Sequence, residues 1–435
     1  MNASEQNKPN QQERVIPKLR FPEFQTALGW SWKTLDQVCT ITNGKSNAQD
    51  HIENGKYPLF DRSEIIKASN DYLFDCEVVI IPGEGMKFIP KYYKGKFNLH
   101  QRAYALKDFI INGKFVYYSM LNNTTLLSKK AVQSTVLSLR LPILKNFPII
   151  KPETEEQQKI ADCLSSLDEL IELQEQKLVA LKQHKKGLMQ QLFPSHNDLQ
   201  ASKQASKQAS KQASKQASKQ ASKQASKQAS KQASKQAIVY PKLRFPQFRN
   251  CKGWEVVELR DVGDFVKEKI EVINLEPQNY ISTENLLSDY GGVTASNKLP
   301  ATEKVTAYKK NDILVSNIRP YLKKVWQADK NGGASNDIII IRAKPSINIS
   351  FLSFAIKNDD FIDYMMKGAK GVKMPRGDLN LISIFPVAVP TSPKEQQAIA
   401  DCLSSLDNLI NEQNERIGRL KTHKKGLMQQ LFPSI

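Results

Sequence analysis

The stretch Ile160-Ala161-Asp162-Cys163-Leu164-Ser165-Ser166-Leu167-Asp168 returns unchanged as Ile399-Ala400-Asp401-Cys402-Leu403-Ser404-Ser405-Leu406-Asp407. It belongs to a longer match. Glu156–Ser195 and Glu395–Ser434 align without gaps, with 29 identities in 40 positions. In the first copy the apolar positions are Ile160, Leu164, Leu167, Ile171, Leu178, Leu181, Leu188 and Leu192. With Gln174 and Lys185 in the two gaps, the spacing is an unbroken 4-3-4-3 series, the pattern of a helix with one narrow apolar seam. The second copy gives Ile399, Leu403, Leu406, Ile410, Gln413, Ile417, Leu420, Lys424, Leu427 and Leu431, with its polar interruptions at the equivalent sites. Pro152 and Pro393 precede these segments, and Phe193-Pro194 and Phe432-Pro433 end them.

The spacing predicts two helices of roughly 36 residues, about 55 Å each. One small domain cannot bury so long a stripe, so the economical partner is the other copy in the same chain. Packing on its own domain and a homodimeric coiled coil are the alternatives. An antiparallel pair would relate the halves of the chain by a pseudo-two-fold axis and set the intervening domains at opposite ends. A separator of about 40–55 Å corresponds to one to one and a half turns of duplex DNA.

Duplication extends upstream. Pro17-Lys18-Leu19-Arg20-Phe21-Pro22 returns as Pro241-Lys242-Leu243-Arg244-Phe245-Pro246, and Gly29-Trp30 as Gly253-Trp254. The segments between do not match, so a shared frame carries two different inserts. Both read as mixed α/β. Glu77–Pro82, Phe115–Ser119, Asp312–Ser316 and Asp337–Arg342 are strand-like, with turns signalled at Asn43-Gly44, Pro82-Gly83 and Gly332-Gly333.

Basic residues cluster with aromatics and glycines in each insert. Lys87, Lys91, Lys94, Lys96 and Arg102 form the candidate DNA-contacting set of the first. Arg319, Lys323, Lys324, Lys367, Lys370, Lys373 and Arg376 form that of the second. Lysines on glycine-rich loops approach phosphates closely, and arginine forks suit guanine edges. The net charge of +19 points the same way, although residues 201–236, nine tandem copies of Ala-Ser-Lys-Gln, contribute nine of it and leave +10. That tract has no apolar stripe, and its lysines repel at i, i+4. It reads as a solvated, partly helical linker, which gene slippage would lengthen by whole tetrapeptides.

Other chemistry finds no residues to carry it. The five cysteines (Cys39, Cys76, Cys163, Cys251, Cys402) have no C-x-x-C spacing, which speaks against zinc and disulfides and for a reducing cytoplasm. No apolar run suits a signal peptide or a membrane span. Neither an Asn-Pro-Pro-aromatic nor an Asp-Pro-Pro-aromatic methyltransferase motif occurs. Gly44-Lys45-Ser46 has the ending of a P-loop, but Cys39 stands where the first glycine belongs. His184 and His423 flank the seam at equivalent places and read as structural or partner-facing. No catalytic or metal-binding residue is expected.

Two variable domains alternating with near-identical helices that bear Glu-Gln-Gln-x-Ile-Ala-Asp-Cys-Leu-Ser-Ser-Leu-Asp and end in Lys-Lys-Gly-Leu-Met-Gln-Gln-Leu-Phe-Pro resemble Type I restriction-modification specificity subunits over essentially the whole chain. The fold expected is α+β, with two globular mixed α/β target-recognition domains joined by two long antiparallel coiled-coil helices. Its boundaries are a polar tail at 1–16, a first recognition domain at 17–151, a helix at 152–195, the repeat linker at 196–240, a second recognition domain at 241–391 and a helix at 392–435. The resemblance implies a non-catalytic subunit that binds double-stranded DNA at a bipartite, gapped target. Its partners would be two modification (methyltransferase) subunits and two restriction subunits. Adenine methylation, S-adenosylmethionine, ATP and Mg would belong to those partners, not to this chain. In the family such repeats can alter target spacing. A coiled-coil scaffold that touches no DNA, a silent specificity cassette and a self-sufficient nuclease or methyltransferase are the rival readings.

Overall fold

The computed structural model describes residues 14–133, 136–206, 208 and 237–434. Most of the polar tail and of the repeat tract therefore lies outside the described residues. The chain divides into two compact units, Met1–Lys177 with Gln413–Ile435, and Leu178–Glu412.

The heptad segments are single helices, Thr154–Leu192 and Pro393–Leu431, of 39 residues each. Pro393 is the first helical residue rather than the one before it, a position where a missing N–H costs nothing. In unit 1 the helices run antiparallel. Gln413 Nε2 donates to the backbone O of Gln174 at 2.9 Å and to its Oε1 at 3.0 Å, and Lys421 pairs with Glu175 at 2.6 Å. Lys424 pairs with Asp168 and lies 5.1 Å from the Tyr118 ring centre. In unit 2 Lys185 pairs with Asp407 and lies 5.2 Å from the Phe354 ring centre. Lys185 and Lys424 are two of the four polar interruptions of the heptads, Gln174 and Gln413 being the others. Each seam thus admits a lysine because an aspartate of the opposite helix and an aromatic face receive it. Ile160, Leu164, Ile171, Leu192, Ile399, Leu403, Ile410, Ile417 and Leu431 are buried. Leu167, Leu178, Leu181, Leu188, Leu406, Leu420 and Leu427 are half-buried, and His184 and His423 are exposed.

The repeated Pro-Lys-Leu-Arg-Phe-Pro motif clamps the helices. In unit 1 Arg20 donates Nε and Nη2 to the two oxygens of Glu156 at 2.7 and 2.6 Å, and to Ala27 O and Leu28 O. The neighbouring Leu19 N–H donates to Gln430 O at 3.0 Å. In unit 2 Arg244 grips Glu395 at 2.7 Å with both nitrogens, and Leu243 N–H donates to Gln191 O at 2.9 Å. Each motif therefore ties the start of one long helix to the end of the other. Beside it sits a repeated aromatic trio. Trp30, Phe115 and Phe432 have ring centres 5.3–6.2 Å apart, and Trp254, Phe351 and Phe193 have theirs 5.3–6.3 Å apart.

Unit 1 carries a two-stranded sheet, β1 (Ser31–Thr34) with β8 (Pro148–Lys151), which leads the chain into the first long helix. Its larger sheet has six strands in the order β2 (Thr40–Asn43), β7 (Ala103–Lys107), β5 (Phe74–Pro82), β6 (Lys91–Leu99), β3 (Tyr57–Phe60) and β4 (Lys67–Ser69). Phe115–Ser119 is not a strand but the middle of a helix, Gly113–Asn122. Its aromatic and β-branched composition favours a strand, yet Asn112 caps it by accepting the Phe115 N–H at 2.9 Å, and tertiary burial overrides propensity. The helix is also pinned to the long one, since Asn112 N–H donates to Gln157 Oε1 at 3.0 Å and its Nδ2 to Gln158 Oε1 at 2.7 Å.

Unit 2 repeats this with a longer insert. Asn348 caps Ile349–Ile356 and binds Gln396 and Gln397 as Asn112 binds Gln157 and Gln158. β19 (Pro386–Val389), β10 (Trp254–Glu258) and β9 (Ile238–Val239) form one sheet. A second is β11 (Gly263–Phe265), β18 (Ile338–Ala343), β15 (Ile313–Ser316) and β16 (Val325–Gln327), and a third is β12 (Lys269–Glu271), β14 (Lys304–Tyr308), β17 (Gly332–Ala334) and β13 (Tyr280–Ile281). The runs read as strands at Glu77–Pro82, Asp312–Ser316 and Asp337–Arg342 fall on β5, β15 and β18.

Candidate nucleic-acid interface

In unit 1 several loops are stitched together where β5 ends and β7 begins. Gly83 N–H donates to Arg102 O at 2.8 Å, and Leu139 N–H to Gly83 O at 2.8 Å. Gly85 N–H donates to Leu137 O at 3.1 Å, and Val132 and Ser138 exchange backbone bonds at 2.8 and 3.0 Å. Lys45 and Ser46 donate their N–H groups to Leu99 O at 3.1 Å. Only a glycine fits at position 44, where a Cβ would lie 2.0 Å from that same oxygen. The turn that looked like a P-loop ending is therefore a close backbone crossing.

The same frame recurs in unit 2 on different residues. Asn317 N–H donates to Asp337 O at 2.8 Å, and Gly377 N–H to Asn317 O at 3.2 Å. Arg319 N–H donates to Pro375 O at 2.8 Å, and Lys370 and Arg376 exchange backbone bonds at 3.0 and 2.9 Å. Position by position, Gly83 corresponds to Asn317, Gly85 to Arg319, Arg102 to Asp337 and Ser138 to Arg376. The two middles share no sequence signal because only backbone groups build the frame, leaving its side chains free to differ.

Exposed cations line each frame. In unit 1 these are Lys45, Arg62, Lys87 and Arg102. Glu84 holds both arginines, Arg102 at 2.9 Å and Arg62 at 3.6 Å. The sequence alone does not single out Lys45 and Arg62. Neither belongs to a basic run, and only the fold brings them beside Arg102. Lys94 and Lys96 are exposed but stand on β6 opposite Glu77 and Asp75, and Lys96 lies 4.7 Å from the Tyr72 ring centre. Lys91 is spent inside the fold, donating to Ser63 O at 2.6 Å and Glu64 O at 3.2 Å, and burial pushes its ammonium below the usual lysine range.

In unit 2 Lys370, Lys373 and Arg376 lie exposed on the 370–376 hairpin, beside half-buried Arg319. Arg376 pairs with Asp337, and Lys370 is 3.8 Å from Asp378. The apolar side chains of Val372 and Met374 are exposed on the same hairpin. Arg319 adopts φ 51°, a left-handed conformation unusual for a side-chain-bearing residue. Its Nε and the Oδ1 of Asn317 are buried without a hydrogen-bond partner. Lys323 and Lys324 are engaged internally, with Asp359 at 2.8 Å and Thr283 O at 2.7 Å. Lys323 is accordingly held above the usual lysine range by that carboxylate. Lys367 is exposed at the end of the helix Asp359–Lys367. Among the described residues no cluster of His, Cys, Asp or Glu could hold a metal ion, and no helix is long and apolar enough to cross a membrane.

The comparisons with known proteins agree with this duplicated plan. Residues 28–183 and 251–420, well over half of the chain, match the Type I restriction modification DNA specificity domain. The chain belongs to that family. Each match covers the reader of one unit and runs into a long helix, so the family domain occurs twice. A specificity-domain relative, the Type I restriction enzyme EcoDI specificity subunit of Escherichia coli, is 23% identical over 410 residues, which are 92% of this chain and 88% of that one. The crystal structure of the Type I restriction-modification S subunit from M. genitalium matches with a TM-score of 0.55 at 16% identity, covering 97% of this chain and 100% of that one. That likeness shows the fold.

Proposed function

We propose that the chain is the DNA-specificity subunit of a Type I restriction-modification complex, with each unit reading one half of a bipartite target. The observation that carries this is the recurrence of one backbone frame bearing two different sets of side chains. A common frame presents a common geometry to the duplex, and different side chains on it read different base edges. Unit 1 offers Arg62 and Arg102, both beside the same oxygen of Glu84. Unit 2 offers Arg319, Lys370, Lys373 and Arg376. The two half-sites therefore differ in sequence.

The chain supplies the address, and partner subunits supply the chemistry. Two modification subunits bind along the long helices, with S-adenosylmethionine, and methylate an adenine flipped from the duplex. Two restriction subunits, using ATP and Mg, complete the nuclease. The work is done in the cytoplasm, where the host chromosome is. Single-molecule sequencing for methyladenine in host DNA, with and without this gene and with modification subunits present, tests the reading. A gapped two-part motif that disappears on deletion supports it. A methylome unchanged by deletion overturns it and leaves a silent cassette or a scaffold.

A further inference from the structure

Nine copies of Ala-Ser-Lys-Gln occupy residues 201–236. The chain enters them through a helix over 196–206 that is docked within unit 2. Ser195 starts this helix: its N–H donates to Asp198 Oδ2 at 3.0 Å, and its Oγ accepts the Asp198 N–H at 3.3 Å. The His196 N–H donates to Asp360 Oδ2 at 2.8 Å. Leu199 is buried in the same core as Phe193, Ala237, Val239 and Trp254.

The chain leaves the tract directly into that core. Val256 N–H donates to Ala237 O at 2.9 Å, and Ile238 and Val239 pair with Glu255 and Trp254. Across the tract, Ser202 donates its hydroxyl to Ile238 O at 2.8 Å. The second residue of the first copy thus touches the second residue after the last. Both ends belong to unit 2. The chain passes between the units only at Lys177–Leu178 and Glu412–Gln413, each inside a long helix.

We infer that the copy number of the repeat is uncoupled from the gap between the half-sites. Whole copies enter or leave between two points that both lie on unit 2, and the two helical connections between the readers keep their length. The inference rests on the reading of the chain as a specificity subunit. A spacer must hold its ends apart, and 36 residues reach roughly 120 Å when extended. Ends in hydrogen-bond contact use none of that reach. Doubling a closed loop lowers its closure equilibrium only about threefold. The buried Leu199 and the strand β9 oppose that small change, so the ends stay docked as copies are added.

The test uses full chains carrying two, nine and fifteen copies, each retaining residues 201–206, expressed with the modification subunits. Methyladenine mapping is expected to return the same half-sites with the same gap from all three. A gap that grows with copy number overturns the inference. Absence of any two-part motif, with the nine-copy chain included, overturns the proposed function instead. The loop is then read directly, from the distance between spin labels on Gln204→Cys and Tyr240→Cys, with the native cysteines replaced by serine. A distance independent of copy number upholds the closed loop, and one that lengthens overturns it.

Discussion

Glu84 reaches Arg102 at 2.9 Å and Arg62 at 3.6 Å, and both arginines remain largely exposed. A fork held from one side by a carboxylate presents its remaining donors in a fixed direction, as bidentate recognition of a guanine edge requires. Arg102→Ala is expected to cost about 1–3 kcal/mol of specific binding and to relax one base position. Competition binding of the assembled methyltransferase against single-base variants of the target checks this. Lys373 lies exposed on its hairpin, and under the proposed function it contacts a phosphate. Lys373→Ala should weaken binding alike for all sequences and reduce the slope of log K against log salt by about 1. Lys357 carries a pH dependence of its own. Burial pushes the Lys357 ammonium down to about 8, partly offset by Asp407. Its cost is fully present below that value, diminishes as the pH rises from about 8 toward the ordinary lysine range, and is gone above that range, where the unfolded chain has lost the proton as well. Lys357→Met is therefore expected to stabilise unit 2 at pH 7, with the advantage shrinking toward pH 10 in paired denaturant titrations.

At the scale of elements, the long helices are held by clamps as well as by their seam. Arg20 and Glu156 are almost fully buried, so Glu156→Gln leaves a guanidinium without its counter-charge. A loss of about 3–5 kcal/mol in chemical unfolding is expected. The facing glutamines trade stability for register, as polar residues in an apolar seam do. Replacing Gln174 and Gln413 together by leucine should raise the melting temperature in calorimetry while lowering methylation of the target. These helices were legible in the sequence because a heptad is a local signal, repeated within one segment. The clamps were visible only as repeated letters, since Arg20 meets a partner 136 residues away. Phe115–Ser119 reads as a strand because its residues favour strands, yet it is helical. The deciding features were the Asn112 cap and contacts with Gln157 and Gln158, which sequence spacing does not display.

At the scale of the molecule, one plan is written twice, and the units differ where a reader should differ. The duplicated ends were legible as identity. The common reading frame was not, because backbone hydrogen bonds carry it and place Gly85 of one unit where Arg319 stands in the other. Lys94 and Lys96 belong to the first candidate set by their place in a basic run, whereas Arg62 and Lys45 come beside Arg102 only through the fold. The most direct test of the central claim, that each unit reads its own half-site, is methyladenine mapping of hosts carrying the parent chain or the Arg62→Ala, Arg102→Ala double variant. Relaxation or loss of base preference in one half-site, with the other half-site and the gap unchanged, is the predicted result. Parallel changes in both half-sites, or an unaltered motif at full methylation, would contradict it.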